Sequence, residues 1–353
     1  MMTSLERILL ALEPLIAVDT QNPPREIDLN GDLVRVVQEA LPDFEISVRD
    51  LDEGRLIIDA RRGTTPIVFN VHMDTVPAAP GWSTDPHTLV RMSDRAFGLG
   101  TCDTKGAAGV LIALAQSTEL PLHLVLTTDE EAGKSDCIRT LLADGFSADL
   151  AVVAEPTGAT ARLEHRGLVS ASAAFTGESA HASEARRPSA VHSAAQFITS
   201  CLTEEAAEHN RLNFGRVEGG VKANMVAAEA EVLFGFRAAP GTDHRAFLDG
   251  LIARAAGAAV TERFIGPALP SDDAGPAAEA QVKAQAWVER LGLPQGEPVD
   301  FWTEASLFAA AGIPAMVLGA GSITQAHNAD EFVAYDQLTT LYDLYLKIAS
   351  YDG

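Results

Sequence analysis

Four short runs of nearly unbroken apolar residues constrain this chain most: PIVFNV (66–71), LHLVLTT (122–128), DLAVVA (149–154) and AMVLGA (315–320). Runs of this length that do not alternate read as strands buried on both faces. Helical patterns stand between and after them. GAAGVLIALAQS follows Asp103, and a closing amphipathic stretch runs through Leu338, Leu341, Leu344 and Ile348. Strands alternating with helices predict an α/β sheet. A first helix is expected over roughly Leu5 to Val18; it carries Glu6, Arg7 and Glu13. Lacking a basic start and a small-residue cleavage site, it does not read as a signal peptide.

From about Gly167 the texture changes to strand (VSASAAFTG), helix (188–209), strand (LNFGRV), strand (EAEVLFGFR), helix (AFLDGLIARAAGA) and strand (TERFIG). That order predicts a small split-βαβ sheet inserted into the larger domain. The Pro/Gly/Asp-rich GPALPSDDAGP around 266–276 reads as the return hinge. The expected division is a larger domain from 1–164 and 272–353, with a second domain over 165–271. A length of 353 residues fits two domains.

Composition excludes several partner classes. Forty-nine acidic against 26 basic residues give a net charge of -23, a field that repels nucleic-acid phosphates and anionic membranes. Most of that acidity serves solubility. No run approaches the ~18 apolar residues of a membrane span. The three cysteines, Cys102, Cys137 and Cys201, are widely spaced and form no CxxC pair. Their sparseness fits a reducing cytoplasm and excludes a disulfide framework or a thiolate zinc site.

The chemistry lies where apolar runs stop. VHMDTVP, GLGTCDTKG, TTDEEAG, AEPT and AHNADEF place His72, Asp74, Asp103, Glu130, Glu131, Glu155 and His327 in polar loops after or beside strands. Ligands in an open α/β sheet gather beyond the carboxyl ends of its strands. Two imidazoles and several carboxylates suit a pair of divalent metals and leave one carboxylate as a base. Singly, each motif has a plainer reading. A His near an Asp is usually structural, adjacent acids are usually solvated, and GTCDTKG serves as a glycine turn before a helix. AHNADEF reads as a helix start, with Asn328 capping and Asp330 and Glu331 meeting the dipole. Their joint placement favours the two-metal hydrolase. No GxSxG or Cys–His nucleophile signature competes with it, and His87, His123, His165, His192, His209 and His244 read as structural or exposed.

These blocks, with VDTQNPP, EHRG, GESAHAS, GGVKANM, FRAAPG, FWTEASLF and VLGAGSITQAHNADEF, resemble the M20 family of metallopeptidases and deacylases over nearly the whole length. Within it they are most similar to the acetylornithine deacetylase type and its relatives acting on acetylcitrulline. The resemblance implies a di-zinc α/β catalytic domain with a mixed, largely parallel sheet. It also implies an inserted ferredoxin-like α+β lid through which the protein dimerises. It puts His72 and Glu155 on one zinc, Glu131 and His327 on the other, and Asp103 across both, with cobalt as a possible substitute. Asp74 is then expected to bond the far nitrogen of His72, the Asp103–Thr104 peptide to be cis, and Glu130 to act as general base. His181, by itself a surface or core histidine, is expected to reach the partner subunit's site and stabilise the oxyanion. Asn224 and Arg237 match positions that grip a substrate carboxylate, for which Arg offers a planar fork. The loop with Gly319 and Gly321 is expected to add backbone donors.

Glutamate at 155, where aminopeptidases of the family tend to carry Asp, favours an N-acyl amino acid with a free α-carboxylate. The expected reaction is deacetylation of acetylornithine or acetylcitrulline in arginine synthesis, by a cytoplasmic homodimer. VDTQNPP, GGVKANM and VDFWTEASLF tilt the choice to the ureido side chain. Rival enzymes are a succinyl-diaminopimelate desuccinylase and a broad aminoacylase. A rival of another class is an inactive binding protein on the same fold, against which the intact Glu130 and full ligand set argue.

Overall fold

The computed structural model describes residues 2–131, 135–184, 187–272 and 274–351. Ala132 and Gly133 of the DEEAG loop and Asp273 of the expected hinge lie outside the described residues. The chain divides into two units, one of Met1–Leu163, Glu279–Glu297 and Thr303–Gly353, the other of Glu164–Ala278 and Pro298–Trp302.

In the first unit a six-stranded sheet runs in the order Glu45–Asp50, Leu56–Arg62, Leu122–Thr127, Ile67–His72, Leu150–Val153, Ala315–Val317. The last four strands are mutually parallel, and the first two join antiparallel at one edge. Every residue of the four parallel strands is buried. Helices cover both faces of such a sheet, which is why these strands do not alternate in sequence. Helix Lys105–Ser117 packs against Ser4–Ala17 and Tyr335–Ala349. The close approach needs Gly109, whose missing Cβ would stand 3.0 Å from the Leu12 Cβ. Tyr345 meets the sheet edge-on at Phe69, with ring centroids 5.0 Å apart, and its hydroxyl donates to the Leu318 carbonyl at 2.6 Å. Thr3 and Glu6 close a capping box at the first helix.

In the second unit a four-stranded antiparallel sheet runs in the order Asn213–Gly219, Glu229–Phe236, Leu168–Thr176, Ala259–Gly266. Val169, Ala171, Val232 and Phe234 alternate onto one face and pack with Phe197, Leu248 and Leu251 of the helices. The single helix expected over 188–209 is two helices, Ala190–Leu202 and Glu205–His209. Glu204 between them is extended, and its carboxylate pairs with Arg254. A short ladder, Ala180–His181 with Met225–Val226, carries His181. The architecture is the α/β class with a mixed, largely parallel sheet and an inserted α+β unit. Among the described residues no helix is long and apolar enough to cross a membrane.

Candidate metal centre

His72 ends its strand, Glu155 lies just past Leu150–Val153, and Glu130 and Glu131 just past Leu122–Thr127. Asp103 stands two residues before the helix that starts at Lys105, and His327 sits in the loop before strand Phe332–Ala334. Parallel strands open their carboxyl ends on one side, so these loops meet there. Asp103 Oδ1 is 3.0 Å from His72 Nε2, and Glu155 Oε1 is 3.8 Å from the same nitrogen. Asp103 Oδ2 is 3.4 Å from His327 Nε2, which is 3.2 Å from Glu131 Oε2. Donor atoms of His72, Asp103 and Glu131 all lie within 4.8 Å of one another. His72 is 2% exposed, whereas the His327 side chain is 52% exposed at the rim.

Burial and the imidazole–carboxylate contacts oppose one another here. Burial lowers the His72 imidazole, but the nearby Asp103 and Asp74 carboxylates outweigh it and leave its pKa well above the ordinary value. The Asp103 and Glu131 carboxylates push His327 up to about 10. Burial pushes Asp103 up, yet His327 and His72 hold it well below the usual carboxylate range. Glu130 and Glu155 are both driven well above theirs, by burial first and then by Glu155 and Asp103 respectively. So many oxygens around two imidazoles form a donor set that fits divalent cations, with one Asp103 oxygen facing each imidazole.

Second contacts orient this set. His72 Nδ1 lies 3.0 Å from the Asp74 main-chain carbonyl, which directs Nε2 at the cluster. The carboxylate expected in that role is 3.5 Å away. Asp74 is fully buried, and its side chain instead accepts N–H groups from Asn22 at 2.8 Å, Glu131 at 3.1 Å and Glu130 at 3.3 Å. Thr104 Oγ1 donates to the His72 carbonyl at 2.8 Å, and the Asp103–Thr104 peptide is cis.

Gly319 and Gly321 do different work from that expected. The Gly319 N–H donates to Thr157 Oγ1 at 3.1 Å and the Gly321 N–H to Gln337 Oε1 at 2.6 Å, so both are engaged within the protein. A Cβ on Gly319 would lie 2.4 Å from the Glu155 carbonyl, and one on Gly321 2.4 Å from Cys102 Sγ. Glycine here permits the close approach of the Glu155 backbone and the Cys102 thiol. AHNADEF starts no helix: Asn328 donates to the carbonyls of Thr324 and Ala326, Asp330 accepts from Ser83, and the helix begins at Tyr335.

Three residues whose supporting role sequence reasoning missed hold the loops, one of them, Glu331, expected instead to meet a helix dipole. Asn22 of VDTQNPP holds Asp74, and its N–H donates to the Thr75 carbonyl at 2.7 Å. Lys105 is 1% exposed, its Nζ 2.8 Å from the Val18 carbonyl, and burial lowers its pKa to about 8. Burial pushes the carboxyl of Glu331 up to about 7. Nothing local in the sequence marks these roles, because each side chain bonds a group far away in sequence.

His181, Asn224 and Arg237 belong to the second unit. His181 is exposed, with Nδ1 2.8 Å from Ser183 Oγ; Asn224 is exposed and its carbonyl accepts the Ala182 N–H at 3.0 Å. Arg237 is half-buried and lines a cavity of about 360 Å³ with Arg211, Arg263 and Asn213. Burial and the Arg211 charge lower its pKa, against the pull of Asp300.

The model for the peptidase family M20/M25/M40 matches residues 68–351. An N-acetyl-L-citrulline deacetylase of Xanthomonas campestris pv. campestris is 44% identical over 344 residues, covering 93% of each chain. An acetylornithine deacetylase of Proteus mirabilis is 30% identical over 320 residues, covering 82% of this chain and 81% of the other. Among solved structures, the aminopeptidase PepT of Bacillus cereus superposes with a TM-score of 0.76 at 20% identity, covering 98% and 97% of the two chains, and shares the fold. By family match and by relatives of nearly equal length, this chain belongs to the M20/M25/M40 peptidase family.

Proposed function

We propose that this chain hydrolyses the amide of an N-acetyl amino acid, N-acetyl-L-citrulline or N2-acetyl-L-ornithine, to acetate and the free amino acid in arginine synthesis. The observation that carries this reading is Asp103 shared between His72 and His327, with Glu130 on the adjoining loop. His72 and Glu155 with one Asp103 oxygen, and His327 and Glu131 with the other, would hold two divalent cations, zinc or in its place cobalt. When bound, such ions polarise an amide carbonyl and ease the loss of a proton from water.

Glu130 accepts the proton of the attacking water and returns it to the leaving amine. A carboxylate raised by burial and by Glu155 is suited to both transfers. Asp74 keeps Glu130 and Glu131 in place through their main-chain N–H groups. Arg237 and Asn224 anchor the substrate α-carboxylate, and His181 completes the site of a partner subunit in a homodimer formed through the second unit. Three buried cysteines, none in a disulfide, fit a reducing cytoplasm. The 44% likeness to an enzyme named for acetylcitrulline, against 30% for acetylornithine, supports the ureido side chain.

A zinc-loaded assay over acetylcitrulline, acetylornithine, acetylmethionine, succinyl-diaminopimelate and a dipeptide tests the reading. Turnover of one or both of the first two above the others is the expected result. Preference for the succinyl substrate would turn the assignment to the desuccinylase, and no hydrolysis at all would turn it to a binding protein.

A further inference from the structure

One buried carboxylate outside the expected metal ligands joins two of the loops that carry them. Glu331 is 2% exposed. Its Oε2 accepts the Gly100 N–H at 2.9 Å, while its Oε1 accepts those of Cys102 at 2.7 Å and Asp103 at 3.0 Å. Its own carbonyl accepts the Gly98 N–H at 3.1 Å. Successive main-chain N–H groups turned to one side form a concavity for an anion. The loop can curl this tightly because Gly100 has a φ of +87°, and because Gly106 has no Cβ to fall 2.1 Å from the Thr101 carbonyl.

Glu331 also stands four residues after His327 and leads into strand Phe332–Ala334, which pairs with Arg95–Phe97. The same side chain therefore fastens the Asp103 loop to the His327 loop. Thr104 then fastens that loop to the His72 strand through its 2.8 Å bond. Lys105 stands nearby, its ammonium within electrostatic reach of both Glu331 and Asp74.

We propose that Glu331 is a positioning residue of the metal centre: by holding the Gly100, Cys102 and Asp103 N–H groups, it keeps Asp103 between His72 and His327 and so sets the affinity for divalent cations. The proposal rests on the metal reading above. Partners of this kind around metal ligands typically govern affinity by about 10- to 100-fold.

The test is a chelator competition with zinc ion on the full chain, wild type against Glu331→Gln. The amide keeps the volume but turns an N–H donor toward N–H donors. Zinc affinity should fall about 10- to 100-fold, saturating zinc should restore kcat, and the substrate KM should not move. Glu331→Asp, which keeps a carboxylate, should fall between. A folded Glu331→Gln protein that holds zinc as tightly as wild type overturns the proposal. So does one whose zinc-free melting temperature falls while the chelator midpoint stays. Should the glutamine variant not fold, the aspartate variant is titrated in its place, with the same two outcomes. A wild-type protein that binds no zinc overturns the underlying metal reading itself, and is distinguished from the other failures at the first titration.

Discussion

The Asp74 carboxylate accepts the main-chain N–H of Glu131 at 3.1 Å. With Glu130 and Asn22 on the same side chain, this buried acid fixes the loop that carries the expected base and an expected metal ligand. Asp74→Asn would set an amide NH₂ against one of those donors. A stability loss of about 1–3 kcal/mol is expected from the unsatisfied buried group. kcat should fall by about 10- to 100-fold as the loop shifts. Urea unfolding and steady-state kinetics measure both; an unchanged kcat contradicts the role.

Glu130→Gln should cut kcat by at least the ~10²–10⁴-fold typical of a general base, with zinc content unchanged by elemental analysis. Loss of metal in that variant would mean that Glu130 and Glu131 have exchanged roles.

Stability in acid should depend on Asp59. Burial raises its carboxyl, but the Arg61 fork, at 2.7 Å for both contacts, and His123 at 3.2 Å hold it well below the usual range. A carboxylate depressed in the fold contributes stability above its unfolded pKa of about 3.9, and loses it as pH falls below that. Arg61 is half-exposed, so solvent screening limits the contribution to about 1 kcal/mol. Urea midpoints of Asp59→Asn should therefore decline less than wild type between about pH 5 and 2; parallel declines contradict the assignment.

A site completed across subunits predicts complementation. His181→Ala and Glu130→Ala should each be inactive, and mixed dimers should regain activity in the site that pairs the two intact residues. Heterodimers that form and stay inactive contradict the trans role of His181.

What was legible in the sequence followed burial. PIVFNV, LHLVLTT, DLAVVA and AMVLGA read as strands because both faces of each are covered. Strand Glu45–Asp50, at the exposed sheet edge, had no apolar run to announce it. Polar residues beyond the apolar runs were legible as a cluster, and the resemblance to the M20 family picked His72, Asp103, Glu131, Glu155 and His327 from it as expected ligands. The supporting roles of Asn22 and Glu331 were not legible, since a side chain bonded to a distant loop leaves no periodicity. Gly319 and Gly321 suggested free donors, but in the fold their N–H groups meet Thr157 and Gln337. Nor did the run over 188–209 show the break at Glu204, whose backbone is extended between the two helices.

Substrate choice tests the central claim most directly. The measurement is kcat/KM of the zinc-loaded enzyme on N-acetyl-L-citrulline, N2-acetyl-L-ornithine, their α-methyl esters and succinyl-diaminopimelate. The account predicts that one of the two free acids, with acetylcitrulline favoured, is the best substrate, and that esterification depresses kcat/KM severely because Arg237 loses its charged partner. A clear preference for succinyl-diaminopimelate over both acetyl amino acids would contradict it.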